Sequence, residues 1–379
     1  MPNVRNRLGS IPEQVIEPNA CGKRRYEYTS DVAPDNSMKY IVSYFILMLA
    51  GALYAQPESA RPEMDAIAGQ RMNAQEAGEL ESLVAQHPED LTGRTKLLGH
   101  YFMARFTSAE ARQKDLEQVL WIIRNRPESK IAGSPFSGID AISDREGYNE
   151  ARQMWLKQTE VHPKNATILG NAAKFCLIND RKMAENLLKE AQTIEPTNLQ
   201  WPDQLGHLYS WGSNKDDATQ ALMEFEKAQA ADPEATSKFA RLDELAKSAF
   251  AAGEIEKASR YATDLLAQAQ KYPHDWNYGN VIHHGNNVLG RVALKQGDVK
   301  EADQYLLKAG ETPGSPQLQS FGPNMSLAKD LLEAGEKDTV LRYFELCRKF
   351  WGMGAKNLNT WADEVKAGKI PSFGANLTY

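Results

Sequence analysis

Residues 288–313 read VLGRVALKQGDVKEADQYLLKAGETP. Gly290 sits early in an apolar run, Gly297-Asp298 interrupts it, and Ala302 and Leu306 resume it at a spacing of four before Pro313 closes the stretch. Spacings of three and four put the apolar residues on one face of a helix, and the Gly-Asp dipeptide reverses the chain. The stretch predicts two antiparallel helices. The small residues Gly290 and Ala302 lie where helices meet, Leu306 fills the gap to the next pair, and Pro313 ends the second helix.

Three other stretches follow the same plan: ILGNAAKFCLINDRKMAENLLKEAQTIEP (168–196), QLGHLYSWGSNKDDATQALMEFEKAQAADP (204–233) and SLAKDLLEAGEKDTVLRYFELCRKFW (326–351). Small residues at Ala173, Gly206 and Ala328 match Gly290, and Ala184 and Ala221 match Ala302. Leu188, Phe225 and Phe344 match Leu306, and Pro196 and Pro233 match Pro313. One pair leaves an apolar face uncovered, and stacking against the next pair buries it.

This pattern resembles the tetratricopeptide-repeat (TPR) family, whose helix-turn-helix unit recurs about every 34 residues. LLGHYF (97–102), EARQMWLKQTEVHP (150–163) and FARLDELAKSAFAAGEIEKASRYATDLL (239–266) look like further copies. The resemblance implies an all-α fold, an α-solenoid wound as a right-handed superhelix of about six or seven helix pairs, which binds a partner along its concave side. The spacing departs from the family: Pro163 to Pro196 is 33 residues, and Pro233 to Pro273 is 40. That drift calls for longer helices or loops. The fold hosts many jobs, so the resemblance carries no function beyond binding.

The solenoid is expected over residues 75–369, with an irregular Gly/Ser-rich insertion at 128–147 and an extended tail at 370–379, whose Ser-Phe-Gly repeats the Ser320–Gly322 triplet. Upstream, MKYIVSYFILMLAGALYAQPESA begins at Met38. Its uncharged run from Tyr40 to Ala55 would span ~24 Å as a helix, short of a ~30 Å hydrocarbon core. We read residues 38–55 as a signal peptide cut near Ala55, or after Ala52, with a flexible linker at 56–74. Residues 1–37 are an irregular leader, and translation is expected to start at Met38. An exported protein, periplasmic or secreted, is the expectation; retention of the apolar run would make it membrane-anchored instead.

Composition is that of a globular protein, 42% apolar and 25% charged, and a net charge of −6 disfavours a nucleic-acid partner. Cys176 and Cys347 fall at core positions of the repeat and read as buried thiols. Trp121, Trp155 and Trp351 read as core. Trp201, Trp211 and Trp276 lie near helix starts or turns, within reach of a groove rim.

His283 and His284 are the only adjacent histidines. Neighbours on a helix point ~100° apart, and the positions four beyond are Asn287 and Val288, so the pair is a poor metal site. One ring buried at the helix start and one exposed is the expected arrangement. No metal or cofactor is called for, and no nucleophile motif accompanies the histidines.

One residue beyond each small position stands a basic or imidazole group: His100, Lys174, His207, Lys247, Arg291 and Lys329. Such residues make up about one in seven of the chain, so six in register exceed chance. His284, Asn287, Arg291 and Lys295 share one helical stripe. In the family this stripe lines the concave surface, which predicts a basic column that receives an acidic or carboxylate-ended ligand. A solvated helix face would give the same pattern. The expected function is a non-enzymatic scaffold for a protein or peptide partner. An exported enzyme with paired carboxylates, acting on carbohydrate, and a membrane-tethered assembly factor are the alternatives.

Overall fold

The computed structural model describes residues 62–377, all of which lie in one compact unit. The leader, the apolar run and the first part of the linker fall outside the described residues. Within them the protein is all-helical, without strands.

Seventeen α-helices follow one another: α1 (Pro62–Gly69), α2 (Ala74–Gln86), α3 (Leu91–Ala104), α4 (Ala109–Asn125), α5 (Arg145–Val161), α6 (Ala166–Cys176), α7 (Arg181–Ile194), α8 (Gln200–Ser210) and α9 (Lys215–Ala231). They continue with α10 (Ala235–Ala252), α11 (Ile255–Ala269), α12 (Tyr278–Lys295), α13 (Val299–Gly310), α14 (Pro316–Phe321), α15 (Ser326–Ala334), α16 (Lys337–Cys347) and α17 (Ala355–Lys366). Most pack chiefly on their chain neighbours, as in α6 with α7, α8 with α9, α10 with α11 and α12 with α13.

The boundaries follow from capping chemistry. Asn73 forms a reciprocal box with Glu76, and Asp90, Ser108, Asp144, Asn165, Asp180, Asn214 and Asp298 each cap the next helix through the side chain. Gly253 and Gly335 end α10 and α15 at φ of +83° and +98°, where a Cβ would be strained. Pro163, Pro196 and Pro233 each lie two residues past a helix end.

The repeat positions behave as their spacing requires. Ala173, Ala328, Ala184, Ala221 and Ala302 are fully buried, as are Phe225, Leu306 and Phe344. A side-chain carbon on Gly206 would fall 2.6 Å from the Phe225 ring, and one on Gly290 would fall 2.3 Å from Leu327. The second helices of successive pairs are also tied by ion pairs: Arg152 to Asp180 at 2.7 Å, Arg181 to Asp217 at 2.9 Å and Lys257 to Glu226 at 2.8 Å.

Two expectations change, and a third, the irregular insertion, gains detail. Part of the linker is structured, because residues 62–69 form α1, packed on α3. The insertion is compact: it makes 3-10 turns at Lys130–Gly133 and Pro135–Ser137, with Ile131 and Phe136 buried, and Asn171 of α6 donates to the carbonyls of Pro127 and Ser129. The tail is packed rather than extended. Phe373 is buried against Trp361, and Asn376 donates to the carbonyls of Phe321 and Pro323 while its own carbonyl accepts from Met325. The second Ser-Phe-Gly segment thus leads into the residue that grips the first.

Trp155 and Trp351 are core, and Trp121 is half-buried beneath Arg94, 4.2 Å above its ring. Trp201 is buried, so it does not reach a rim, whereas Trp211 and Trp276 are exposed. Cys176 and Cys347 are free buried thiols, and burial pushes the Cys176 pKa up to about 12.

Candidate functional site

Each small residue of the first helices is buried, and each following residue reaches solvent. Lys174 is exposed; His100, His207, Lys247, Arg291 and Lys329 are half-buried. Neither Lys174 nor Lys295, which is also exposed, forms an ion pair among the described residues. Lys174 stands close enough to surrounding protein that desolvation lowers its pKa, opposed by attraction to Glu63 of α1. His100 packs edge-on against Tyr101, and His207 edge-on against Phe225 at 5.1 Å.

The remaining members meet acids. Arg291 pairs with Asp330 of α15 at 2.7 Å and lies 4.4 Å over the Phe250 ring of α10. Lys329, beside Asp330 in sequence, pairs with Glu333. Lys247 reaches Glu244 at 2.8 Å and Asp243 at 3.4 Å. The structure therefore brings Lys247 and His284 together around Asp243, and pairs Arg291 with Asp330 and Lys329 with Glu333. It leaves His100, Lys174 and His207 on separate helices.

Both adjacent histidines are buried, in place of the expected buried and exposed pair, and they lie in the second turn of α12 rather than at its start. His283 is held at both ring nitrogens: Nδ1 meets the Ala309 carbonyl at 3.2 Å, and Nε2 accepts from the Asn324 backbone N–H at 3.0 Å. An imidazole that accepts at Nε2 and donates at Nδ1 is neutral. Burial, aided by neighbouring His284, brings its pKa down to about 3.

His284 Nδ1 lies 2.8 Å from the Asp243 carboxylate on α10. Burial alone would raise the Asp243 pKa, but His284 and Lys247 outweigh it and hold the carboxyl below its ordinary range. Asn287 is also buried, its amide donating to the His283 carbonyl at 2.9 Å. Of the predicted stripe on α12, Arg291 and Lys295 reach solvent, and His284 and Asn287 face protein.

The periodic reading missed the acidic partners. Asp203 to Arg241, Asp243 to His284 and Arg291 to Asp330 each join one first helix to the next, at separations of 38, 41 and 39 residues. Arg241 is buried, bidentate to Asp203 at 2.7 and 2.9 Å, and 3.1 Å from Asp232. Those separations follow the lengthened repeat of this part of the chain, and that is the signal by which a search for opposite charges about 40 residues apart would find the rungs.

A second polar site lies beneath the insertion. Arg105, Arg112, Asp115, Asp140 and Asp144 surround a cavity of about 10 Å³. Asp115 pairs with Arg105 at 2.8 Å, and burial pushes its pKa up to about 6 against the pull of that guanidinium. The cavity has room for one water and none for a sugar ring. Among the described residues no group of three or more His, Cys, Asp or Glu side chains is placed to hold a metal ion, and no helix is long and apolar enough to cross a membrane.

Compared with known proteins, the chain matches no protein-family model and no curated protein.

Proposed function

We propose that this chain is an exported, non-enzymatic scaffold of TPR-like repeats, arranged as a right-handed α-solenoid, that binds a protein or peptide partner along the groove lined by its first helices. The observation that carries this reading is the shared register of six first helices, each with a buried small residue followed by a basic or imidazole side chain at the solvent edge. The packing of helices on their chain neighbours supports it, because repeat arrays bury their apolar faces this way.

The ligand in this reading is acidic or carboxylate-bearing. Arg291 and Lys329 already hold carboxylates, so such a ligand enters by exchange with Asp330 and Glu333. Exchange of one half-exposed ion pair for another costs little, about 1 kcal/mol or less, and suits reversible capture.

The test reverses Arg291 and Lys329 to Glu together. Capture of acidic peptides from the extracytoplasmic fraction should be lost at unchanged helix content; retained capture would overturn the groove assignment. Mass spectrometry of the mature N-terminus tests export, and a retained Met38 segment would overturn cleavage.

A further inference from the structure

The cavity beneath the insertion gathers more carboxyls than it can neutralise. Three line it: Asp115 from α4, Asp140 from the insertion and Asp144, the N-cap of α5. Two guanidinium groups face them, Arg105 just past the end of α3 and Arg112 on α4. The rest of the wall is uncharged among the described residues. With all three carboxyls ionised, one negative charge is left over.

The hydrogen bonds are shared unevenly. Arg105 Nη1 is divided between Asp115 Oδ2 at 2.8 Å and the Gly138 carbonyl at 2.9 Å. Arg112 donates from Nε to the Arg105 carbonyl at 3.2 Å. Asp140 accepts from the backbone N–H groups of Ile142 and Ser143, and Asp144 accepts from that of Gly147. Asp115 is 2% exposed, and its Oδ1 is buried without a hydrogen-bond partner among the described residues. A buried carboxylate oxygen to which nothing donates is costly.

A proton on Asp115 Oδ1 removes both faults at once. It cancels the surplus charge and turns the orphaned acceptor into a donor. Asp140 and Asp144 line the same cavity as acceptors, reached directly or through the single water that the space admits.

We propose that Asp115, Asp140 and Asp144 form a proton-binding site, and that its one proton, carried by Asp115, latches the 138–144 segment onto α4. Without the proton, two carboxylates of that segment face a third across a space one water wide, and the Arg105 bridge to Gly138 works against their repulsion. With it, repulsion gives way to a hydrogen bond. Burial, helped by the charge of Asp144, pushes the Asp115 pKa up in agreement with this. The latch does not depend on what the groove binds.

Hydrogen exchange followed by mass spectrometry of the full chain, expressed as protection factors, tests this between about pH 5 and 7.5. Asp115 titrates at about 6 with the segment docked and at its ordinary 3.8 with the segment open to water. Protection of residues 138–144 should therefore fall about tenfold as pH rises over that range, without a matching fall in α12. Asp115→Asn, which can donate at every pH, should abolish the fall and keep protection at its acid level. Asp144→Asn keeps the cap of α5 while withdrawing one carboxylate, so it should move the midpoint to lower pH; it decides the matter where Asp115→Asn fails to fold.

Wild-type protection of 138–144 that is level or rises with pH would overturn the latch. A fall that persists in Asp115→Asn would place the proton on another group and overturn the site, as would a midpoint that Asp144→Asn leaves unmoved.

Discussion

His283 gives the sharpest quantitative expectation. Its ring bridges α12, the last turn of α13 and the loop before α15, and both nitrogens are engaged only while the imidazole is neutral. The folded pKa of about 3 lies below the ordinary value of 6.5. Between those values the unfolded chain holds a proton that the folded chain does not, so stability falls as pH drops from 6.5 toward 3. Each pH unit is worth about 1.4 kcal/mol, and the full displacement about 5 kcal/mol.

Asp115 works in the opposite direction. Its folded pKa of about 6 exceeds its ordinary 3.8, so the folded state gains stability over that interval as pH falls, by up to about 3 kcal/mol. The wild-type curve alone is therefore flattened, and the difference between wild type and His283→Gln isolates the histidine. Urea unfolding followed by circular dichroism from pH 4 to 8 should show the variant less stable at pH 8. The gap should close by about 3 kcal/mol between pH 6.5 and 4 and reverse sign near the acid end. Parallel curves would refute a neutral, doubly engaged His283. Exchange of the Asn324 amide should accelerate in the variant even where the global transition is broad.

Arg241→Met removes the guanidinium shared by Asp203 and buried Asp232, and should cost about 3–5 kcal/mol in thermal or urea unfolding, because the Asp232 carboxylate stays buried without that counter-charge. Asn376→Ala deletes two hydrogen bonds to the 321–323 carbonyls; loss of about 1–3 kcal/mol is expected, with a red-shifted Trp361 emission as Phe373 loosens. Peptides containing Cys176 or Cys347 should stay unlabelled by iodoacetamide at neutral pH until denaturant is added, and prompt labelling of either in the native protein would contradict their burial.

The helix pairs, their turns and their packing residues were legible in the sequence because each is fixed by neighbours within about eight residues: Gly290, Gly297, Ala302 and Leu306 report one local geometry. The charge pattern was half legible. Periodicity located Arg291 and Lys329 at the edge of the first helices, but Asp330 and Glu333 share that edge, and nothing local says which acid a given base will meet. His284 and Asn287 went inward because Asp243 on α10 and the carbonyl of His283 offer better partners than water, and a partner 41 residues away leaves no periodic trace. The docking of α1 and the grip of Asn376 were illegible for the same reason: each joins a segment outside the repeat to a distant part of the chain through contacts that leave no periodic trace.

The rungs that join first helix to first helix differ in how well water reaches them. Arg241 and His284 are under one-tenth exposed at the side chain, whereas Arg291 and Asp330 are each about one-third exposed. Dissolved ions screen charges beyond ~8 Å at physiological strength and act least on sheltered pairs. Added electrolyte should therefore leave the Arg241 and His284 rungs stiff and slacken the Arg291 rung, making the junction between α12 and α15 the most compliant of the three.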